Sequence, residues 1–396
     1  MNIEKRFIQI KSFLEAHIKL VNSEPLELYP DHLFGNYKLL VQELKTFKKY
    51  ELLEIENQQI PQRKISSSLS KFLTECWGLY PVPQVHINKN YPLFSKRKVS
   101  IKKQHEIERL ASFIIDQKPN TILDIGSGAG LLSMQISNQL NCQCTLIDQS
   151  SDFQAKGKQI IKRWHSHLGH NIKYINKFFD KNYSNEHGPN QFIIGLHTCG
   201  NLSNELIDYH LNFSTSKLVN IPCCYHKLNN SQINLSKFAK NNNPLEFNKY
   251  AKDMSAKSYK ELSLRDFEHK LKVKNYRYAL HLFRYENGDD QFTSLGKTQQ
   301  KDYGLSFSEY TKKYSPDLNS ISNLQLESFI NSNKTKEQVL ELICLGILRN
   351  QLGRLVELYI VLDRVLYLQE ANKEVQLHTI FDRNLSPRNL LITSHL

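Results

Sequence analysis

The chain has 396 residues, and 52 Lys and Arg against 39 Asp and Glu give it a formal net charge of +13. Hydrophobic residues at 40% and charged residues at 23% are values typical of globular proteins, which argues against a disordered or fibrous chain. The basic excess suits a polyanionic partner such as RNA, but it also suits a merely basic surface.

The cysteines and the first residues of the chain indicate the cellular compartment. The seven cysteines show no Cys-x-x-Cys spacing, which favours a reducing compartment. The first residues lack the apolar segment of a secretory signal, and no stretch approaches the ~18 apolar residues of a membrane span. We therefore expect a protein that is cytoplasmic or nuclear, is not secreted and has no contact with a membrane.

The front of the chain is predicted to be helical. Apolar residues recur at helical spacing over residues 1–60, and Pro81, Pro83 and Pro92 mark a connector. We therefore expect residues 1–100 to form a mainly helical N-terminal region. A helix is predicted over 104–117. The segment just before it contains no acidic residue and five basic residues: Lys96, Arg97, Lys98, Lys102 and Lys103.

Short apolar strands and helices then alternate. Strands are predicted over 121–125, 143–147, 172–176, 191–197 and 217–224. This alternation is typical of an α/β fold with a parallel, doubly wound sheet. Residues 101–228 are therefore predicted to hold the first five strands of one core domain.

The alternation stops at residue 229. Residues 229–335 are polar, with 17 Lys and Arg against 12 Asp and Glu, and we expect them to form an insertion after strand 5. An insertion at that point should cap the carboxyl ends of the strands, where ligands bind. A long apolar helix pattern over 336–370 and strand-like runs over 374–382 and 388–395 then predict a closing helix and hairpin, so that residues 336–396 complete the core domain.

The first predicted strand runs into a glycine turn that opens a helix. Asp124 precedes Gly126, Gly128 and Gly130, and the second strand ends in Asp148. Glycines let the backbone approach a ligand closely, a helix N-terminus presents free N–H groups, and a carboxylate at the second position can accept hydrogen bonds from ribose hydroxyls. This pattern favours a nucleotide-type site over a tight turn without a ligand.

The Asp-x-Gly-x-Gly-x-Gly form resembles motif I of the class I S-adenosylmethionine methyltransferases. The resemblance implies a Rossmann-like, seven-stranded sheet and S-adenosylmethionine as the cofactor. It also implies that Asp124 supports the glycine turn and the methionine end of the cofactor. We expect the following residues to bind the cofactor: Asp124, Ile125, Gly126, Ser127, Gly128, Gly130, Asp148, Gln149 and His197.

A second group of polar residues stands where strands 4 and 5 end. His197-Thr198-Cys199-Gly200 follows strand 4, and Cys223-Cys224-Tyr225-His226 follows strand 5. One interpretation is catalytic, with Cys223, Cys224, Tyr225 and His226 at the acceptor and His226 as a general base. The others are a metal site and buried structural thiols. Because adjacent strand residues point to opposite faces, Cys223 and Cys224 are not expected to reach one ion, and no metal is predicted.

Further motifs sharpen the resemblance. Six segments are similar to the methyltransferase-like 25 family, and the similarity runs from about residue 100 to the C-terminus: Lys102–Glu106, Asp124–Gly128, Leu196–Gly200, Cys223–Leu228, Leu362–Glu370 and Leu385–Asn389. One branch of that family carries a name that refers to ribosomal RNA adenine dimethylases. However, Cys223-Cys224-Tyr225 stands where base N-methyltransferases carry an Asn/Asp-Pro-Pro-Tyr motif, which argues against adenine N6 as the acceptor atom. The His-x-Cys-Gly and Cys-Cys-x-His pair is also similar to tRNA 2′-O-ribose methyltransferases, which implies RNA ribose as the leading acceptor.

Two of these C-terminal motifs also have a structural interpretation. Asp363-Arg364 on an apolar helix is predicted to be a partly buried ion pair, and Ser386–Asn389 is predicted to be a turn.

An RNA-binding surface is predicted within the insertion. Residues 229–277 hold 11 Lys and Arg against 5 Asp and Glu. With Lys96, Arg97, Lys98, Lys102 and Lys103 they would form a phosphate groove, or a solvated basic face. The aromatic residues predicted to be available for stacking are Phe238, Phe247, Tyr250, Tyr259 and Tyr276.

Overall fold

The structure is a computed structural model that describes residues 2–94, 99–184, 191–255, 259–289, 291–292 and 295–395. These residues form seven strands: β1 (Thr121–Ile125), β2 (Gln143–Asp148), β3 (Ile172–Asn176), β4 (Phe192–Cys199), β5 (Lys217–Cys223), β6 (Glu374–Thr379) and β7 (Leu390–His395). They also form sixteen α-helices: α1 (Ile3–Ala16), α2 (Ile18–Val21), α3 (Tyr37–Leu44), α4 (Lys49–Glu56), α5 (Ser67–Gly78), α6 (Ile101–Ile115), α7 (Leu131–Leu140), α8 (Ser151–Trp164), α9 (Asn201–Leu211), α10 (Lys237–Asn241), α11 (Lys249–Ser255), α12 (Leu264–Glu286), α13 (Phe307–Tyr314), α14 (Asn323–Asn331), α15 (Asn333–Gln351) and α16 (Gly353–Glu370).

The strands form one seven-stranded sheet in the order β3-β2-β1-β4-β5-β7-β6. The first five strands are parallel, and β7 runs antiparallel to both β5 and β6. The α/β prediction is confirmed, and each parallel strand lies within two residues of its predicted bounds. The strand order reverses between β1 and β4, and ligands of such sheets bind at this switch point.

Helices cover the sheet and hold β1 in the core. Ile107, Leu110 and Ile114 recur along one side of α6 and pack into the same apolar cluster as Ile122 of β1 and Leu146 of β2. Residues 122–125 of β1 are all buried, as expected for a central parallel strand covered on both faces. The turn that follows β1 therefore starts from a rigid, fully packed strand.

The chain divides into two compact units. The first comprises Met1–Ala16, Leu79–Lys260 and Gly353–Leu396, and it contains the whole sheet. The second comprises His17–Gly78 and Glu261–Leu352, and it is helical wherever it has regular α or β structure. The boundary between the units at residues 260–261 falls inside the predicted insertion, and the boundary at 352–353 falls inside the predicted closing segment. The cap over the carboxyl ends of the strands therefore remains a prediction.

The single long helix predicted over 336–370 is wrong. Two helices, α15 and α16, meet there, with Leu352 between them as the C-cap of α15. The periodicity did not reveal this break, because residues on both sides of it are apolar and buried.

Within the described residues, no helix has both the length and the apolar character needed to cross a bilayer.

Candidate active site at the carboxyl ends of the strands

The turn after β1 takes a backbone path that favours glycine. Gly126, Gly128 and Gly130 have φ values of +69°, +57° and +79°, a region in which a side chain is strained. The N–H groups of Gly126 and Ser127 both donate to the carbonyl of Ile147, at 2.9 and 3.2 Å. The turn is therefore fastened to β2 and opens directly into α7.

Packing also excludes a larger residue at Gly130. An added Cβ there would lie 2.2 Å from Cδ2 of Leu146. Two residues missed in the sequence support the turn from behind: Tyr174 donates a hydrogen bond to the carbonyl of Ala129 at 3.0 Å, and a Cβ on Gly157 would lie 2.4 Å from that same carbonyl oxygen. The signal for Gly157 was a glycine inside an otherwise helical pattern, which often marks close packing.

Asp148 joins the end of β2 to the glycine turn. One carboxylate oxygen accepts the N–H of Gly128 at 2.8 Å, and the other accepts the N–H of Ser150 at 2.8 Å. Each oxygen keeps a second lone pair for a ligand hydroxyl. Gln149, beside it, is exposed. Ser127 has a buried hydroxyl with no partner among the described residues, a group that a ligand in the turn would satisfy.

Asp124 lies beneath the turn rather than at its surface. Its side chain is 2% exposed and accepts a hydrogen bond from Ser133 of α7 at 2.6 Å. Burial raises the pKa of Asp124 to about 6, against the opposing effect of that hydrogen bond. Ile125 is completely buried, so its side chain serves the core. Both placements suit residues that support the turn.

His197 occupies a strained position in β4. Its φ is +61°, and the pairing of β4 with β5 shifts register between Leu196 and Thr198. Its Nε2 lies 2.7 Å from a carboxylate oxygen of Glu106, which can only accept when ionised, so Nε2 carries the hydrogen. Nδ1 is buried and has no partner within the described part of the chain. The structure thus leaves one imidazole nitrogen without a hydrogen-bond partner among the described residues.

Glu106 is a site residue that sequence reasoning missed. It is 2% exposed on α6, and it also accepts a hydrogen bond from Ser386 at 2.7 Å. Burial by itself would raise the pKa of Glu106, but the hydrogen bonds from His197 and Ser386 lower it to about 2. The only sequence signal was its place in the Lys102–Glu106 motif, and that motif does not indicate the partner.

Three cysteine thiols meet where β4 and β5 end. The Sγ atom of Cys199 lies 3.4 Å from that of Cys223 and 3.2 Å from that of Cys224, and the last two are 3.5 Å apart. The argument that Cys223 and Cys224 point to opposite faces is wrong. Strand geometry ends at Cys223, and Cys224 has a φ of +54°, which turns its side chain back toward its neighbour.

The environment of the thiols polarises them. Cys224 accepts hydrogen bonds from Cys199 and from Cys223, and these lower its thiol pKa. The hydrogen bonds that Cys223 shares with Cys199 and donates to Cys224 raise the pKa of Cys223. The guanidinium of Arg388 also faces Cys224, with Nη1 3.7 Å from its Sγ. The segment Ser386–Asn389 is therefore more than the turn predicted, since Ser386 and Arg388 both reach side chains of this region.

Tyr225 and His226, the other two residues predicted to be catalytic, lie in different environments. Tyr225 is 2% exposed, and its hydroxyl lies 3.1 Å from a carboxylate oxygen of the buried Glu357 on α16. Burial raises the pKa of this phenol well above its ordinary value. The placement favours a structural role over contact with an acceptor. His226 is exposed, with Nδ1 3.9 Å from a carboxylate oxygen of Asp253.

The Asp363-Arg364 pair is structural, as predicted. Both residues are buried, and Arg364 Nη1 lies 3.1 Å from the carboxylate of Asp363. Asp363 accepts the N–H groups of Leu235 and Ser236, and Arg364 donates to the carbonyls of Gln232 and Ile233. The pair thus anchors the chain that follows the tip of β5.

Residues 102–231 match the family model of a methyltransferase domain. This range contains α6, the glycine turn, Asp148 and the tips of β4 and β5. A comparison with curated protein sequences finds no match.

Solved structures similar to this chain include several methyltransferases. One is described as an S-adenosylmethionine-dependent methyltransferase from Methanococcus maripaludis, with 18% identity, a TM-score of 0.25 and 31% of this chain covered. The chain spans little more than half the length of that protein, 56%. A precorrin-6y C5,15-methyltransferase from Geobacter metallireducens has 18% identity and a TM-score of 0.24, with 36% of this chain and 72% of that one covered.

A third similar structure, described as a protein-L-isoaspartate O-methyltransferase from Plasmodium falciparum in complex with S-adenosyl-L-homocysteine, has 17% identity and a TM-score of 0.27. The similar region covers 48% of this chain and 85% of the Plasmodium falciparum protein. The strand order of the sheet and the family-model match over residues 102–231 together support a methyltransferase domain in this chain.

Proposed function

We propose that this protein is an S-adenosylmethionine-dependent methyltransferase that holds its cofactor between the 126–130 turn and Asp148. One observation carries the proposal: the glycine turn and the carboxylate of Asp148 are joined by a 2.8 Å hydrogen bond beside the switch point of the sheet. A ribose at this carboxylate and a charged methionine end near the turn suit the fold's usual ligand position.

The bound cofactor would supply an activated methyl group, and the residues of the chain would orient the acceptor. His197 is the best-placed side chain for accepting a proton, because Glu106 fixes its ring and leaves Nδ1 unpaired. His226, the predicted general base, lies at the exposed surface and lacks such a fixing partner at hydrogen-bond distance among the described residues.

Calorimetry with S-adenosylmethionine tests the cofactor site. Asp148→Ala removes charge-assisted hydrogen bonds worth about 1.5–3 kcal/mol each, so affinity should fall at least about tenfold. Asp152→Ala, at an exposed acid in the first turn of α8, is the matched control and should bind as the parent does. Unchanged affinity in a folded Asp148→Ala variant would exclude the ribose assignment.

The acceptor is proposed to be RNA, with the ribose 2′-hydroxyl favoured over a base. The net charge of +13 supports an RNA partner, and the similarity of the His-x-Cys-Gly and Cys-Cys-x-His pair to tRNA 2′-O-ribose methyltransferases supports the ribose hydroxyl. Lys237, Lys240 and Lys249 are exposed and available to phosphates. Lys252 turns inward instead and donates to the carbonyl of Leu228 at 2.8 Å.

The predicted stacking surface needs correction. Phe247 is 1% exposed and packs edge-on against Tyr359, so it cannot stack on a base. Tyr259 lies under the guanidinium of Arg354, and Tyr276 packs against Phe307 and neighbouring tyrosines. Phe238 packs against Phe7, and Tyr250 lies beside Lys249. Lys96, Arg97 and Lys98 lie outside the described residues.

Labelled-methyl transfer to total RNA and to total protein decides the acceptor class. Transfer to RNA supports the proposal, transfer to protein alone replaces it with a protein methyltransferase, and binding without transfer indicates a methyltransferase-fold binding protein. Binding of labelled RNA should weaken steeply with salt, because each neutralised phosphate releases counterions. Charge reversal at Lys237, Lys240 and Lys249 should weaken RNA binding while affinity for S-adenosylmethionine stays unchanged.

A further inference from the structure

The three thiols at the tips of β4 and β5 are held together by the backbone. Cys199 and Cys223 are register partners of the two strands, so their positions are fixed by the sheet. Gly200 donates its N–H to the carbonyl of Cys223 at 3.0 Å, and an added Cβ there would lie 2.7 Å from Cβ of Lys227. This contact between the two tips tolerates only glycine, and it keeps Cys199 against Cys224.

We propose that Cys199, Cys223 and Cys224 bind a zinc ion as thiolates. Their sulfur atoms form a nearly equilateral triangle with sides of 3.2, 3.4 and 3.5 Å. Tetrahedral zinc, with Zn–S bonds of about 2.3 Å, needs sulfur atoms about 3.8 Å apart, so the ion fits after shifts of a few tenths of an ångström. With the sulfur atoms at that separation, the ion would lie about 0.8 Å outside their plane.

The surroundings suit a bound cation with three anionic ligands. Three thiolates and Zn²⁺ leave one negative charge, and Arg388 places a guanidinium 3.7 Å from Cys224 Sγ to balance it. Binding would release the protons of those thiols that are not already ionised, so zinc affinity should fall as pH is lowered. Cys199 is partly exposed, which gives the ion a path of entry.

The ligand set leaves one position free. Among the described residues, the converging group consists of these three cysteines and includes no histidine or carboxylate. Structural zinc sites are closed by four protein ligands, whereas sites with three keep a position for water or a substrate atom. The ion would therefore tie the tips of β4 and β5 together and present one exchangeable position.

Metal analysis of the full-length protein tests this assignment without relying on methyl transfer. The reduced protein, incubated with Zn²⁺ and dialysed, should retain a single zinc ion per chain by mass spectrometry. Co²⁺ in its place should give thiolate charge-transfer absorption and the visible bands of a tetrahedral ion. The triple variant Cys199→Ala, Cys223→Ala, Cys224→Ala should retain neither metal.

The matched control is the double variant Cys142→Ala, Cys144→Ala. It removes another pair of neighbouring buried thiols, with Sγ atoms 3.8 Å apart, and it should keep the zinc. Should the triple variant fail to fold, alkylation of the parent protein gives a second measurement: zinc should protect the three site cysteines together, and a chelator should expose them. Parent protein without retained zinc, or a triple variant that keeps it, would overturn the assignment.

Discussion

The two halves of the candidate site differ in where their geometry is encoded. At the β1–β2 end, one stretch of ten residues and the acid that ends the next strand carry the turn, and both are recognisable from residue type alone. At the β4–β5 end, the arrangement depends on Glu106, Ser386 and Arg388, which come from the two extremes of the core domain. Local geometry can be predicted from residue type, whereas convergence of distant side chains needs the fold.

The glycine turn should show the largest response to a single methyl group. Gly130→Ala combines left-handed backbone strain of about 1–2 kcal/mol with overpacking of about 1–3 kcal/mol against Leu146. We expect the free energy of unfolding to fall by about 2–5 kcal/mol, measured by denaturant titration.

Gly128→Ala separates the two causes. It has the same backbone strain, with a φ of +57°, but no atom lies within 4 Å of its added Cβ. The expected loss is therefore only about 1–2 kcal/mol. Equal losses in the two variants would show that packing against β2 does not restrict the turn.

The β4–β5 end should respond to pH through Glu106. Its pKa of about 2 in the folded protein lies below the ordinary value of 4.5, so its ionised form stabilises the fold at neutral pH. This stabilisation is present above pH 4.5 and is lost as pH falls through about 2. Glu106→Gln should cost up to about 3 kcal/mol of unfolding free energy at pH 7, and progressively less below pH 4.5.

The control for this prediction is Glu108→Gln on the same helix. Glu108 accepts the N–H of Leu93 at 2.9 Å, a bond that a glutamine oxygen can also accept. A loss in Glu106→Gln that does not change with pH would mean that packing, and not the ionised carboxylate, holds His197.

The sequence predicted the sheet well because the evidence for it is local. Each strand is a short apolar segment bounded by turn residues, and alternation with helices implies parallel pairing. The break between α15 and α16 was missed because burial continues through Leu352 and Gly353. The grouping of His17–Gly78 with Glu261–Leu352 was also missed, since residues far apart in the chain show no shared periodicity.

The site was predicted in part for the same reason. Asp148 and the turn meet where the motif implied, but the thiol cluster was rejected on the alternation of strand side chains. Side chains alternate only within the strand, which ends at Cys223. The left-handed backbone of Cys224 could not be predicted, because cysteine has no preference for that conformation. Partners such as Glu106 for His197 lie 91 positions away in the chain and could not be paired from one sequence.

Asp124 provides the smallest effect, with the opposite sign to Glu106. Its pKa is raised from 3.8 to about 6 by burial, so the folded state binds its proton more tightly than the unfolded state does. Stability is therefore lost as pH rises from 3.8 through 6. Asp124→Asn removes a charge penalty of about 3 kcal/mol but leaves an amide N–H₂ that costs about 1–3 kcal/mol when unpaired. We expect a net gain of about 1 kcal/mol at pH 8 and a net loss of about 1–3 kcal/mol at pH 3.5, where the carboxyl is already neutral but the amide is still unpaired. Exposed Asp152→Asn, which only removes a charge from the first turn of α8, should show no gain at either pH. A variant that is less stable at pH 8 would show that the buried negative charge is needed to hold α7 against the turn.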